Sequence, residues 1–278
     1  MPVVATNTAA NSALRFLNNN SSMAAGSVGK LASGSRIVKA SDDAAGLAIG
    51  TRLKADVTAL TQAGINASQG ASVVQVADGG LARIGDVLQR MKALAAQSLS
   101  GVPTDTERAF IDAEYQELIS EISDIATTTR FNGDSLLDGG ASTADYFVGT
   151  DVSDTITVDF QALATGQVGF TAGALSINSV AVSSAASAAA AMSLIDAAID
   201  VISEARATAG ALISRFEFRG QQVATSLENI DAAKSAIMDV DLAAEQSKLV
   251  SSQVLVQAAV SAVSQANQIP QSLLRVLQ

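Results

Sequence analysis

The sequence predicts a mainly α-helical fold, with long antiparallel coiled-coil helices from both termini forming a rod and a small β-hairpin region in the middle. Three observations carry that prediction. Apolar residues recur at steps of four and three over long stretches on both sides of the middle. The three prolines are Pro2, Pro103 and Pro270, so nothing of that kind interrupts a helix between the last two. Only one section, about 144–182, switches to alternating apolar and polar residues between turn signals.

From the N-terminus, Ala10, Leu14, Leu17, Ser21, Ala24, Val28 and Leu31 form a stripe at helical spacing. It is thin, because Ser and Ala hold seam positions and Asn18, Asn19 and Asn20 lower helix propensity. Gly34 interrupts it. A second helix starts at KASDDAAGLAI, where Ser41 is placed to cap the free amides and Asp42 and Asp43 face the positive helix end. Val74, Ala77, Leu81, Ile84, Leu88, Met91 and Ala95 then keep strict 4-3 spacing to about Ser100. At ~1.5 Å per residue this helix is roughly 85 Å long.

Gly101 and Pro103 end it, and Thr104 with Glu107 has the spacing of a capping box that opens the next helix. Ile111, Tyr115, Leu118, Ile122 and Ile125 continue the pattern, and Asn132-Gly133 and Gly139-Gly140 mark turns. In DYFVGTDVSDTITVDF, the alternation at Ile156, Val158 and Phe160 predicts a hairpin; GALSINSVAV predicts one more short strand. From about residue 184, Ile195, Ile199, Ile202, Ala209, Ile213, Phe216, Val223, Leu227, Ile230 and Ile237 share one heptad register. A last segment from Asp239 carries Leu249, Ser252, Val256, Ala259, Val263 and Ala266. The expected domains are 1–43, 44–238 with the hairpin section inside it, and 239–278. Neither terminal segment has the apolar mass to hold a helix by itself. The outer ~40 residues at each end are expected to lack order in a lone subunit and to fold on assembly.

Composition narrows the function. The chain of 278 residues has no cysteine and no histidine, which removes disulfides, thiolate nucleophiles, Cys/His zinc sites and histidine general bases. No enzyme activity, cofactor or metal is expected. The paired carboxylates Asp42 with Asp43 and Asp239 with Asp241 are read as complements of helix dipoles rather than as ligands. A formal charge of −10 argues against nucleic acid and against anionic membranes. No run of 18 apolar residues predicts a transmembrane span. MPVVATNTAANSALRFL lacks the pattern of a Sec signal, which taken alone predicts a cytoplasmic protein.

Several motifs are familiar. VGKLASGSRIVKASDDAAGLAI at 28–49 closely resembles the N-terminal signature of bacterial flagellins, and ANQIPQSLLRVL at 266–277 resembles their C-terminal one. TTRFNGDSLLDG, YFVGTDVSDTITVDF and GALISRFEFR are similar to further flagellin segments in the expected order. The resemblance covers nearly the whole chain and implies a short form lacking the hypervariable outer domains. It implies a structural subunit that polymerises into the flagellar filament for swimming motility, exported unfolded through the flagellar type III channel, so that the filament lies outside the cell. Implied partners are other copies of the chain, the hook-associated junction and cap proteins, and an export chaperone at the C-terminal helix, near 240–278. The polymerisation seam is assigned to Leu14, Leu17, Val28, Leu31, Leu249, Val256, Val263 and Leu273. LQRMKALAAQ, at 88–97, is similar to the segment bound by the vertebrate Toll-like receptor for flagellin. Gln89, Arg90, Leu94, Gln97 and Glu114 match that segment, whereas Met91, Lys92 and Ala93 depart from it. The alternatives are a hook-filament junction protein, which shares the terminal signatures, and a secreted adhesin or receptor ligand.

Overall fold

The computed structural model describes residues 7–140, 143–161, 163–164 and 168–276, with the side chains of the last helix described through Gln268. In chain order the elements are α1 (Thr8–Ser33), α2 (Ala44–Leu99), α3 (Asp105–Thr128), β1 (Arg130–Phe131), β2 (Asp134–Ser135), β3 (Ala144–Phe147), β4 (Thr155–Val158), α4 (Ala185–Met238) and α5 (Leu242–Val276). They form two compact units. One runs from the N-terminal side to Val57 and resumes at Asn229; the other is Thr58–Glu228.

The Thr58–Glu228 unit holds the large core. Val74, Ala77, Leu81, Ile84, Leu88, Met91 and Ala95 of α2 are all fully buried, as the 4-3 spacing requires. They pack with Tyr115 and Ile122 of α3, with Ile195, Ile202, Ala209 and Phe216 of α4, and with Val148, Ile156, Val158 and Phe160 around the hairpin. A fully buried Leu or Ile contributes about 1.5–3 kcal/mol, which makes this core the anchor of the unit. Tyr115 is enclosed with its hydroxyl unpaired among the described residues. Burial, then the nearby Asp112, pushes its pKa up to about 12, so it stays neutral at physiological pH.

Local chemistry sets the helix ends. The capping box of α3 forms as its spacing implies: Thr104 N donates to Glu107 Oε2 at 2.7 Å, and Glu107 N donates to Thr104 Oγ1 at 3.4 Å. The Thr104 amide, and then the Thr104 hydroxyl donating to the same oxygen at 2.9 Å, hold the Glu107 carboxyl below its ordinary pKa. At the start of α2 the cap is Asp43, whose Oδ1 accepts from Gly46 N at 2.8 Å, and not Ser41. Asp42 turns back to accept from Lys39 N and Val38 N, at 3.0 and 3.1 Å, and these two amides hold its pKa down. A carboxylate accepts an amide more strongly than a hydroxyl does, which explains the choice.

The middle of the chain holds less strand than expected in one place and more in another. β3 pairs antiparallel with β4, from Ala144 with Val158 to Phe147 with Thr155. Tyr146 of β3 meets the Phe216 ring edge to face, with centroids 5.4 Å apart. The segment 173–182, expected to be a strand, is instead a run of turns: Leu175 N donates to Thr171 O, Ile177 N to Ala172 O and Val180 N to Ile177 O. These local bonds bury Ile177, Val180 and Val182 without any neighbouring strand, so the spacing mimicked alternation. Outside the expected section, β1 and β2 form a two-residue hairpin. Its turn residues Asn132 and Gly133 both take positive φ, 53° and 96°, as a type I′ turn demands.

By length and composition, α4 and Leu242–Gln268 each contain a window apolar enough to cross a membrane, with mean hydropathy 1.6 and 1.2. In α4 part of that apolar content is the buried seam, Ile195, Ile202, Phe216 and Val223 among its members, while Leu194 and Phe218 stand exposed. That origin is the ordinary one for a core helix, so the windows carry little weight for a membrane.

Adjacent glycines in α2 meet opposite surroundings. A Cβ on Gly80 would lie 2.6 Å from Thr129 Oγ1 and 2.7 Å from Leu137 Cδ1, whereas one on Gly79 would meet nothing within 4 Å. Gly80→Ala is therefore expected to destabilise by about 1–3 kcal/mol through overpacking. Gly79→Ala is expected to stabilise by roughly 0.5–1 kcal/mol through helix propensity. Urea unfolding followed by circular dichroism measures both, and equal signs would contradict the packing described.

Candidate functional site

The first unit pairs α1 with α5 in antiparallel fashion. Asn7 Nδ2 donates to Ala266 O at 2.8 Å near one end, and Ser27 Oγ donates to Glu245 Oε1 at 2.6 Å near the other. Apart from Leu249, the residues buried along this seam are small or polar: Ala10 and Ser27 from α1, and Glu245, Ser252, Ala259 and Ala266 from α5. Asn7 also caps α1 by accepting from Ala10 N, and Asp241 caps α5 by accepting from Ala243 N and Ala244 N. Asp241 thus serves the amides of a helix start. Gly34, at φ 69°, ends α1 in the left-handed conformation that glycine tolerates. The chain beyond it is clasped by Arg36 N donating to Met238 O and Val240 N donating to Gly34 O, at 2.6 and 3.1 Å.

Glu245 is the charged residue of this seam, 6% exposed. Its second oxygen pairs with Lys248 Nζ at 3.2 Å. The Ser27 hydroxyl, opposed by burial and joined by Lys248 and Lys30, holds the carboxyl below the ordinary glutamate value of 4.5. Beside the pair, Met23, Lys30, Asp42, Lys248, Ser251 and Leu255 line an open groove of about 470 Å³.

The residues assigned to the seam divide between two faces. Leu249 is buried, and Leu17, Leu31, Val256 and Val263 are half-buried. Leu14 and Val28 lie outward instead, 42% and 50% exposed, because the close pairing runs along Ala10, Ala24 and Ser27. Small residues let two helices approach, which turns the bulkier members of the stripe away. Leu273 lies on α5, but its side chain falls outside the described residues. Phe16 and Met23 join Leu14 and Val28 as exposed apolar residues of α1, and Leu242, Val250, Val254, Leu255 and Val260 are their counterparts on α5. Sequence reading missed Ser27 and Glu245 because neither is apolar. The available signal was their position: Ser27 lies three residues after the seam residue Ala24, and Glu245 lies in the first turn of α5.

The receptor-matching residues lie in the other unit. Arg90 Nη2 and Nε both donate to Glu114 Oε1, at 2.6 and 2.9 Å, joining α2 to α3. Gln89 and Gln97 are exposed beside them. Leu94 is not on this surface: it is 2% exposed and belongs to the core, three residues after Met91 on the seam side of α2. It offers a partner no surface. Among the described residues no cluster of three or more His, Cys, Asp or Glu could hold a metal ion.

Comparison with known proteins covers most of the chain. The bacterial flagellin N-terminal helical region matches residues 4–142, and the bacterial flagellin C-terminal helical region matches residues 192–277. A flagellin of Halalkalibacterium halodurans is 36% identical over 89% of each chain. A flagellin of Bacillus subtilis is 33% identical over 98% of each, and the flagellar filament 30.7 kDa core protein of Treponema maltophilum is 33% identical over 95% of each.

The shifted titration of Glu245 gives a signed prediction. Its lowered pKa means the paired helices favour the carboxylate. That contribution is complete above pH 4.5 and is lost as pH falls through the lower folded-state value. Glu245→Gln is expected to weaken the α1–α5 pair by about 1–2 kcal/mol at neutral pH, since Ser27 is left with a neutral acceptor and the Lys248 ion pair is lost. The variant is also expected to lose part of the acid sensitivity of the pair below about pH 4.5. Urea titrations of helical circular dichroism on assembled filaments of both proteins check this, and an unchanged acid response would contradict it.

Proposed function

Because the chain belongs to the bacterial flagellin family, we propose that α1 and α5 carry the contacts through which it polymerises. The chain itself is a structural subunit that assembles with copies of itself into the flagellar filament, and it is not an enzyme. Filaments of its homologues are extracellular structures. The matched relatives are flagellins and filament core proteins, which disfavours a hook-filament junction protein.

One observation carries the proposal about the ends. Large apolar side chains on both faces of the α1–α5 pair, Leu14, Phe16 and Val28 on one helix and Val250, Val254 and Leu255 on the other, remain exposed. Single exposed apolar residues are ordinary, but rows of them on two paired helices mark an interaction surface. Each such side chain contributes about 1.5–3 kcal/mol when fully covered. Neighbouring copies cover them, and the ends acquire their order in doing so. Leu17, Leu31, Leu249, Val256 and Val263 hold α1 and α5 together for that contact.

The same proposal extends to the remaining partners. The subunit leaves the cell unfolded through the flagellar export channel. An export chaperone covers the apolar face of α5 before assembly, and the junction and cap proteins meet the filament ends. Contact with the vertebrate Toll-like receptor uses Gln89, Arg90, Gln97 and Glu114, with Leu94 supporting them from the core.

Removing residues 241–278 takes away α5 and with it half of the proposed surface. The truncated chain is expected to stay soluble and helical by circular dichroism, because the core around Leu81 and Phe216 is untouched, and to form no filaments. Normal filaments by electron microscopy after that deletion would refute the proposal.

A further inference from the structure

Three segments of the first unit meet on the opening turns of α2. Gly46 and Gly50 lie four residues apart, on one face of that helix. A Cβ on Gly46 would fall 2.7 Å from Ile37 Cδ1, and one on Gly50 would collide with Met238 Sδ and fall 2.7 Å from Met238 Cγ. The glycines thus leave bare backbone on which two side chains are seated: Ile37, from the strap that follows α1, and Met238, the last residue of α4. Ile37 and Gly50 are buried, whereas Met238 is half-buried and within reach of solvent.

The backbone of Met238 is also the centre of the clasp. Met238 O accepts from Arg36 N at 2.6 Å and from Ser35 Oγ at 3.0 Å. Ile237 O accepts from Arg36 Nη2 and Nε at 2.9 and 3.2 Å, and Val240 N donates to Gly34 O at 3.1 Å. One residue therefore holds the strap through its carbonyl and α2 through its sulfur. α1 ends and α5 begins at this joint.

The sulfur is the reactive part of the joint. With no cysteine in the chain, methionine is its readily oxidised side chain. Met91 is sealed in the core of the other unit, and Met23 stands exposed on α1. Met238 alone joins partial exposure to a place in the clasp. A sulfoxide oxygen is a strong acceptor, and the interior of α2 offers it no donor because the amides there are spent within the helix. The oxygen also enlarges a group already in close contact with the Gly50 backbone. An oxidised side chain leaves that seat for water.

We propose that Met238 is a sulfoxidation site, at which hydrogen peroxide loosens the clasp between the ends of α1 and α4. In the step the peroxide O–O bond breaks and an S–O bond forms. The sulfur loses two electrons, and the second peroxide oxygen leaves as water with both protons. The inference rests on the filament reading, because the assembled subunit is the form in which the joint is closed.

The test treats assembled filaments of the full chain with hydrogen peroxide, at a dose that fully oxidises Met238 in the urea-unfolded chain. Peptide mass spectrometry is expected to find Met238 at least about half converted and Met91 less than about a tenth converted. Hydrogen–deuterium exchange at the clasp amides of Arg36 and Val240 is expected to become roughly tenfold faster, with residues 74–91 unchanged. Met238→Leu keeps the volume and removes the sulfur. Filaments of that variant are expected to match the untreated parent and to show no change at the clasp after peroxide, even where Met23 is oxidised. Protection of Met238 from the dose, unchanged clasp exchange once it is oxidised, or equal loosening in the Met238→Leu filaments would each overturn this site and leave the filament reading intact. Failure of the unmodified chain to polymerise at all would overturn both.

Discussion

Side-chain size along the α1–α5 seam is the constraint on which the molecule's behaviour depends. The residues those helices bury are Ala10, Ser27, Ser252, Ala259 and Ala266, together with Leu249 and the carboxylate of Glu245. Alanine and serine let the helices lie close but remove little apolar surface from water. In the Thr58–Glu228 unit the corresponding seam positions are Leu81, Ile84, Leu88, Met91, Ile195 and Ile202, all buried. One unit closes its core from its own residues. The other keeps its larger apolar side chains on the outside, where a neighbour can use them.

Polar links give the thin seam its register. A Leu-rich seam of the same length would hold the pair shut and leave nothing for neighbours to complete. Asn7 to Ala266, Ser27 to Glu245 and the clasp at Met238 fix which residue faces which while adding modest stability. This fits a part that gains from being incomplete as a single chain. Tyr115, whose pKa burial pushes up to about 12, is a sealed core residue of the other unit.

Much of this was legible in the sequence where the repeating residues are large. The positions from Val74 to Ala95 and the register from Ile195 to Val223 read correctly because bulky aliphatics at 4-3 spacing admit one buried face. The capping box at Thr104 and Glu107 was equally plain. Reading failed where size and polarity mislead. Leu14 and Val28 look like seam residues by hydrophobicity, yet close helix approach selects Ala24 and Ser27. Ile177, Val180 and Val182 imitate a strand, while backbone bonds within residues 171–180 make turns. Leu94 matches a surface motif, but its place next to Met91 on the helix puts it inside.

Hydrogen–deuterium exchange on the dilute lone subunit and on assembled filaments tests most directly whether the chain ends borrow their order from neighbours. The expected result is that amides of α1 and α5 exchange at least about a hundredfold faster than those of residues 74–91 in the lone subunit, and become protected in the filament. Equal protection of α1, α5 and residues 74–91 in the lone subunit would contradict it.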